Sequence, residues 1–202
     1  MRNPRARKSY DERRSERAAV DDPAVVLEAA ARFLEARSRS VAEVRRRLGR
    51  AGYRAELVDG AIARLTELGM LDDATFGRAW VESRDRARPR GEIALRRELG
   101  LKGVDRAIVD ELLEERRDLA GAAPDADGAD LVAARRLLVR NERALARVTD
   151  PRQRRQRAYA LLARNGFDPE TCRRGSSELL APAGELDGSG ADDEPGAVGD
   201  DV

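Results

Sequence analysis

The chain has little of what most enzyme active sites require. Its 202 residues include one cysteine, Cys172, and no histidine. These counts exclude a disulfide within the chain, a zinc site of the usual Cys/His type and a histidine general base. Neither lysine, Lys8 or Lys102, follows a glycine, as the GxxxxGK phosphate-binding loop requires. We therefore expect neither an enzyme nor a cofactor or metal.

Aromatic residues and long apolar runs are also scarce. Aromatic side chains make up 3 % of the chain and charged ones 38 %. No apolar run approaches the roughly 20 residues that span a bilayer, and the Arg-rich N-terminal residues lack the apolar stretch of a signal peptide. Narrow helices with thin apolar seams suit this composition better than one deep core. We expect an elongated, cytoplasmic, all-α protein with no membrane partner.

The formal net charge of +1 hides an uneven distribution of charge. Eight acidic residues and no basic residue lie between Gly175 and Val202, so residues 1–174 carry a net charge of +9. A basic body followed by an acidic tail is typical of proteins that bind a polyanion.

Signals for the start and end of helices follow one another along the chain, without a strand pattern. Asp22-Pro23 combines an N-cap with proline at the first helical position, and Ser40 with Glu43 forms a capping box. A further helix is expected to begin at Asp72-Asp73 and to end before Pro89. Because carboxylates at the start of a helix cap it and oppose its dipole, we interpret this aspartate pair as structural.

A Leu-x-x-x-Gly motif followed by an apolar residue recurs three times. Its glycines, Gly52, Gly103 and Gly166, are 51 and then 63 residues apart. Glycine is the residue that ends a helix with positive φ without a steric penalty. The longer second spacing reflects an insert rich in Ala, Asp and Gly between Gly121 and Asp130. These spacings predict three tandem three-helix repeats that resemble helix-turn-helix units.

The motifs also suggest boundaries for the repeats. We assign residues 1–21 to a disordered basic arm, 22–88 to repeat 1 with a leading helix, 89–148 to repeat 2 with the insert, 149–180 to repeat 3 and 181–202 to a disordered acidic tail. Disorder is expected from Gly175 onward, because the chain there is rich in acids, glycine and proline.

Basic residues are the remaining candidates for a functional surface. Residues 131–174 contain twelve arginines and four acids, a net charge of +8. Because like charges at helical spacing repel one another unless a polyanion offsets them, this cluster favours a nucleic-acid contact. Trp80 and Tyr53 fall on apolar helical positions, so we expect them to pack in the core rather than to stack on bases. The candidate contact residues are Arg45, Arg46, Arg50, Arg84, Arg86, Arg88, Arg90, Arg97, Lys102, Arg135, Arg136, Arg152, Arg154, Arg155, Arg157 and Arg164.

Several of these segments resemble the RecX family of RecA recombinase regulators. Residues 40–68, the segment Gly-Met-Leu-Asp-Asp-Ala-Thr-Phe at 69–76, Trp80-Val81 and Arg84 are similar to the first repeat of that family. The segment with Leu95, Leu99 and Lys102-Gly103-Val104 is similar to its second repeat and Leu162–Phe167 to its third, so the resemblance covers about residues 24–174. The insert, Trp80 in place of the usual tyrosine, and the acidic tail depart from the family pattern.

The resemblance implies a cytoplasmic, non-enzymatic regulator that lodges in the groove of the RecA–DNA filament and mostly inhibits RecA. The expected partners are the RecA filament and single-stranded or filament-bound DNA, and a monomer is expected. An alternative is a stand-alone DNA-binding regulator, although such proteins usually use one recognition helix and a two-fold symmetric dimer. A third hypothesis is a helical scaffold for another protein. The sequence leaves open whether the main contact is to RecA or to DNA.

Overall fold

The computed structural model describes residues 9–120 and 127–178, and every regular element in that part of the chain is an α-helix. The helices are α1 (Tyr10–Ala18), α2 (Pro23–Glu35), α3 (Val41–Ala51), α4 (Ala55–Glu67), α5 (Asp73–Ala87), α6 (Glu92–Lys102), α7 (Arg106–Ala120), α8 (Ala129–Arg140), α9 (Glu142–Ala146), α10 (Pro151–Arg164) and α11 (Pro169–Glu178). The predicted all-α class is confirmed. Arm residues 1–8, insert residues 121–126 and tail residues 179–202 lie outside the described residues.

The buried apolar side chains form three clusters, which divide the helices into three modules. Module 1 consists of α2, α3 and α4 around Val44 and Leu48. Module 2 consists of α5, α6 and α7 around Leu95 and Leu99. Module 3 consists of α8 to α11, with Leu162 in its cluster. In each module the middle helix (α3, α6 or α10) carries the Leu-x-x-x-Gly motif. None of the described helices is long and apolar enough to cross a membrane.

Modules 2 and 3 begin one helix earlier than the motif spacing suggested. We assigned α5 to repeat 1, yet its buried Phe76 and Val81 pack with α6 and α7. We assigned α8 to repeat 2, yet its buried Ala134 and Leu138 pack with α10 and α11. The motif lies on the middle helix of each module. The spacing of the motif therefore does not show whether the helix before it belongs to the same module or to the previous one.

Part of the N-terminal arm is helical, although the sequence suggested disorder up to residue 21. The cause is a capping box at the start of α1: the Glu12 N–H donates to the Ser9 hydroxyl at 3.1 Å, and the Ser9 N–H donates to the Glu12 carboxylate at 2.7 Å. The Tyr10 hydroxyl then donates to the Arg50 carbonyl at 3.0 Å. Helix α1 therefore covers the C-terminal end of α3.

The chain also stays helical beyond Gly175, where the sequence suggested disorder. Helix α11 continues to Glu178, and both Gly175 and Ser176 are buried. A Cβ at residue 175 would lie 3.2 Å from the Leu162 side chain, so the glycine permits close packing of α11 on α10. Similarly, Ala129 and Asp130, assigned to the insert, form the start of α8.

The predicted helix ends are confirmed. Asp22 accepts a hydrogen bond from the Ala24 N–H at 2.9 Å, and Ser40 forms the expected capping box with Glu43. The three motif glycines have positive φ, at 105° for Gly52, 80° for Gly103 and 80° for Gly166.

Neighbouring modules meet through the ends of their middle helices. Gly103, at the C-terminal end of α6, lies against Ala42 in the first turn of α3. Gly166, just beyond α10, lies against Ala94 in the first turn of α6. A Cβ at either glycine would overlap the facing alanine, so glycine is required by space as well as by its backbone angle. The end of α6 therefore abuts the start of α3, and the end of α10 abuts the start of α6.

Candidate nucleic-acid interface

One face at the junction of modules 2 and 3 consists of three adjoining clefts. The first cleft, between α9 and α10, contains Arg157 and Arg164. The second, between the α5–α6 loop and α8, contains Arg88, Arg90 and Arg140. The third, between α6 and α10, is lined by residues of both helices and shares Arg164 with the first and Arg90 with the second. The clefts therefore adjoin one another, and we call their arginines the basic face: Arg88, Arg90, Arg97, Arg140, Arg157 and Arg164.

The middle helices position three of these arginines toward solvent. Arg157 and Arg164 are two helical turns apart on the same face of α10, a separation of about 10 Å. Both are exposed, as is Arg97 on α6. No acidic residue within 9–120 or 127–178 forms an ion pair with any of the three. Their charges are available to a ligand.

The α5–α6 loop is fixed by two of the other arginines. Arg140 donates to the carbonyl of Arg86 at 2.5 Å and to that of Ala87, which satisfies carbonyls at the end of α5. Arg90 donates to the side-chain oxygen of Asn165, at the end of α10. These bonds hold Arg88 beside the third module. Arg140 was absent from the residues predicted by sequence, because its role depends on the end of a distant helix.

Among the residues that line the three clefts, Glu98 is the single acid. Its carboxylate accepts hydrogen bonds from Arg84 at 2.6 Å and from the Trp80 indole N–H at 2.9 Å, and it lies 3.4 Å from Arg90 Nε. Since this negative charge is shared by two arginines, the basic face remains positive.

The predicted arginine cluster at the start of α10 does not act as one group. Arg157 belongs to the basic face, whereas Arg152 and Arg155 are exposed on other sides of the helix. Arg154 donates to the Val148 carbonyl at 3.0 Å and is half-buried.

Other predicted contact residues hold the fold together. Arg84 pairs with Glu98, and Arg45 pairs with Asp59 at 3.0 Å. Arg135 pairs with Asp127 and with Glu178 at 2.7 Å, which joins α8 to the end of α11. The remaining predicted residues, exposed but outside the three clefts, are Arg46, Arg50, Arg86 and Arg136.

Lys102 connects modules 1 and 2. Its ammonium lies 2.9 Å from the Glu43 carboxylate and 4.8 Å from the centre of the Trp80 ring, and its carbonyl accepts from the Ser40 hydroxyl at 2.6 Å. Burial raises the pKa of Glu43, but the Lys102 hydrogen bond and charge outweigh burial and hold that pKa below the ordinary 4.5. Trp80 and Tyr53 are half-buried and pack against the cores of modules 2 and 1, as expected.

A buried arginine that the sequence interpretation missed joins modules 2 and 3. Arg116 of α7 is 8 % exposed and donates to Asp85 of α5 at 2.9 Å and to Asp130 of α8 at 2.6 Å. Asp130 also accepts from the Glu92 N–H at 3.0 Å. Burial raises the pKa of Asp130 despite these bonds, whereas hydrogen bonds to the two aspartates raise that of Arg116 against its own burial. Arg116 follows Val109 and Leu112 at helical spacing on the buried stripe of α7, which is a signal that sequence alone contains.

The acidic and sulfur-bearing side chains have structural roles. Hydrogen bonds from Thr75 and Ala74 hold the pKa of the N-cap Asp72 below its usual value. Asp73 accepts from the Val41 N–H at 2.9 Å, and burial raises its pKa. Cys172 is buried, which raises its pKa as well. Within residues 9–120 and 127–178, no group of three or more such side chains could hold a metal ion.

The fold and this face define a tandem array of three-helix modules with a basic surface where two modules meet. Family models agree with this division: the first three-helix domain of RecX matches residues 27–65, and the second matches residues 72–113. The second match begins at the N-cap of α5, where module 2 begins in the structure.

Relatives of known name align with most of the chain. The regulatory protein RecX of Prosthecochloris aestuarii is 32 % identical over 163 residues, which cover 79 % of this chain and 96 % of the relative. Regulatory protein RecX of Mycobacterium marinum is 35 % identical over 151 residues, 74 % of this chain and 82 % of the relative. The crystal structure of RecX from Lactobacillus salivarius has the same fold, with a TM-score of 0.65 at 18 % identity, over 79 % of this chain and 97 % of that one. The chain belongs to the RecX family.

Proposed function

We propose that this protein regulates RecA recombinase by binding the RecA–DNA filament, and that it mostly inhibits the RecA ATPase and strand exchange. The observation that carries the proposal is the alignment with regulatory proteins RecX, which extends over 96 % of one relative. In this proposal the protein acts in the cytoplasm, as a monomer and without a cofactor.

The basic face is the proposed contact with filament DNA. Arg88, Arg97, Arg157 and Arg164 are exposed, and they can neutralise phosphates and release the counterions condensed on DNA. The planar guanidinium group also matches two phosphate oxygens at once. No aromatic side chain lines the three clefts. The contact is therefore with the phosphate backbone rather than by stacking on bases, which suits a partner of any sequence.

A stand-alone regulator that reads a DNA sequence is the alternative. Such a protein places polar side chains of one recognition helix against base edges in the major groove. Here the available arginines come from α6, α10 and a loop, and they cross a module boundary. This distribution supports the filament proposal over the alternative.

The test is the RecA ATPase on single-stranded DNA, with and without this protein. We expect inhibition at sub-stoichiometric amounts and no ATP turnover by the protein itself. The double variant Arg157→Gln/Arg164→Gln should need a several-fold higher concentration for half-inhibition. Arg152→Gln/Arg155→Gln removes the same charge from other sides of α10 and should behave like the parent.

Two outcomes would overturn the proposal. One is an unchanged ATPase and unchanged strand exchange in the presence of equimolar protein. The other is binding to one duplex sequence about a thousandfold more tightly than to random DNA, which is the behaviour of a sequence-specific regulator.

A further inference from the structure

We propose that the acidic segment 179–202 binds the basic face of its own chain and competes there with nucleic acid. The competition rests on the proposed DNA contact, whereas the contact within the chain does not. The contact is argued from the positions, charges and composition of the acidic segment and the basic face.

The charges of the two partners are complementary. Residues 179–202 contain seven acids and no base. The exposed Arg97, Arg157 and Arg164 form no ion pair with an acid of the described chain, so they are open to these carboxylates. Because the segment is part of the same chain, its contact with the face is intramolecular and does not depend on the protein concentration.

The third cleft also offers an apolar surface between its arginines. Ile93 and Leu101 are 58 % and 69 % exposed, and they lie one turn before and one turn after Arg97 on α6. Arg164 of α10 lines the same cleft. An apolar side chain with an acid on each side fits such a surface. The tail contains that pattern as Glu185-Leu186-Asp187.

The tail follows a helix that packs on α10, which forms one wall of the cleft. Helix α11 packs on α10 and ends at Glu178, which Arg135 holds at 2.7 Å. Leu186 follows eight residues later, a reach of up to about 27 Å for an extended chain. For comparison, helix α10 has 14 residues and is about 21 Å long, which is shorter than this reach.

The first test changes only the tail of the full chain. In this variant the seven acids become amides: Glu185→Gln, Asp187→Asn, Asp192→Asn, Asp193→Asn, Glu194→Gln, Asp200→Asn and Asp201→Asn. We expect this variant to bind a fluorescent single-stranded oligonucleotide several-fold more tightly at low salt. The gain should shrink as added salt shortens the Debye length below about 10 Å.

Matched backgrounds show whether the tail acts through the basic face. In Arg97→Gln/Arg157→Gln/Arg164→Gln the amide substitutions should bring no gain in affinity. In Arg152→Gln/Arg155→Gln the gain should persist. Equal gains in both backgrounds would indicate a general effect of net charge and would overturn the proposal, as would no gain in the parent.

A second test observes the contact without DNA. Cys172 is buried, so in the Ser189→Cys variant the introduced cysteine supplies the accessible thiol to which a spin label is attached. We expect it to weaken the amide NMR signals of Ile93–Leu101 and of the end of α10 more than those of α4. Uniform or absent weakening overturns the proposal. The same signals could also weaken in an isotope-enriched chain without a spin label, mixed with spin-labelled chains. That result would assign the contact to a second copy and would overturn the proposal too. If instead the tail contacts the basic face but loss of the arginines of that face leaves DNA binding unchanged, the proposed DNA contact and the competition both fail, and the contact within the chain stands.

Discussion

At the scale of single residues, glycine serves two physical purposes in this protein. Gly103 and Gly69 both have positive φ, at 80° and 67°. Beyond its own neighbours, a Cβ at Gly69 would have nothing within 4 Å, whereas one at Gly103 would overlap Ala42. Gly100 lies inside α6 with open space beside it. A substitution at Gly69 therefore tests backbone strain alone, one at Gly103 tests strain together with crowding, and one at Gly100 tests helix propensity.

Replacing each of these glycines with alanine should give three different effects. Gly69→Ala should lower the free energy of unfolding by about 1 kcal/mol, the usual cost of a left-handed non-glycine residue. Gly103→Ala should lower it by about 2–3 kcal/mol, since crowding against Ala42 adds to that cost. Gly100→Ala should raise it by about 0.5–1 kcal/mol. Urea denaturation measures all three, and equal losses for Gly69→Ala and Gly103→Ala would contradict the assigned module contact.

At the scale of helices, a carbonyl at the C-terminal end of each middle helix accepts a hydrogen bond from another part of the chain. The Ala51 carbonyl of α3 accepts from Arg17 of α1 at 3.4 Å. The Lys102 carbonyl of α6 accepts from Ser40 at 2.6 Å. The Asn165 carbonyl beyond α10 accepts from the Gly91 N–H at 3.1 Å. Helix α1 thus occupies the place that a preceding module would take, and it satisfies the same exposed carbonyl ends.

The contact between α3 and α6 should depend on pH through Glu43. Its folded-state pKa is below the ordinary 4.5, so its stabilising contribution is present above that value and is lost as pH falls through the folded-state pKa. Glu43→Gln should cost about 1 kcal/mol of unfolding free energy at pH 7.

Comparing the denaturation of parent and Glu43→Gln between pH 7 and pH 3 tests this dependence. The difference in stability should shrink below about pH 4.5, where the unfolded carboxyl begins to take up its proton. Trp80 is the single tryptophan, and Lys102 lies over its ring, so its emission should report release of Lys102 in the same range. A difference that stays constant down to pH 3 would exclude Glu43 as the group responsible.

At the scale of the whole molecule, the proposed DNA contact depends on how modules 2 and 3 are joined. The basic face takes Arg88 and Arg97 from one module and Arg157 and Arg164 from the other. Arg116 fixes their relation, since it pairs at once with Asp85 and Asp130.

Removing the charge of Arg116 should therefore be costly. Arg116→Met leaves two partly buried carboxylates without their partner and should lower the free energy of unfolding by about 3 kcal/mol. The neighbouring Arg117→Met loses only a surface pair with Glu92 and should cost less than about 1 kcal/mol. Chemical denaturation of both variants checks the contrast. Similar small losses for the two would show that the junction does not depend on Arg116.

Salt dependence should identify the arginines that contact DNA. Each phosphate contact on single-stranded DNA contributes about 0.7 to the slope of log affinity against log salt concentration. Arg157→Gln/Arg164→Gln should therefore reduce the magnitude of that slope by about 1.4, whereas Arg152→Gln/Arg155→Gln should leave it unchanged. Fluorescence anisotropy at several salt concentrations provides the slopes. Equal flattening by both variants would show that DNA contacts α10 without preference for one face.

The sequence by itself determined the helical class, the helix ends and the period of the array. Capping boxes such as Ser40 with Glu43, and glycines such as Gly103, act through hydrogen bonds and backbone angles within a few residues, so they can be read locally. The capping box of Ser9 and Glu12 is equally local, but the prediction of a disordered arm did not take it into account. The buried stripe that contains Arg116 could also have been found by spacing alone.

Only the tertiary structure decided which basic residues are available to a ligand. Lys102 and Arg157 both carry a positive charge, and the sequence does not distinguish their roles. In the structure Lys102 pairs with Glu43 across a module junction, whereas Arg157 faces an open cleft. The tertiary structure also decided the module to which α5 belongs, because the apolar stripe of α5 could pack on either neighbouring pair of helices. Ion pairing and burial are set by residues distant in the chain, and helix propensity contains no information about which distant residues those are.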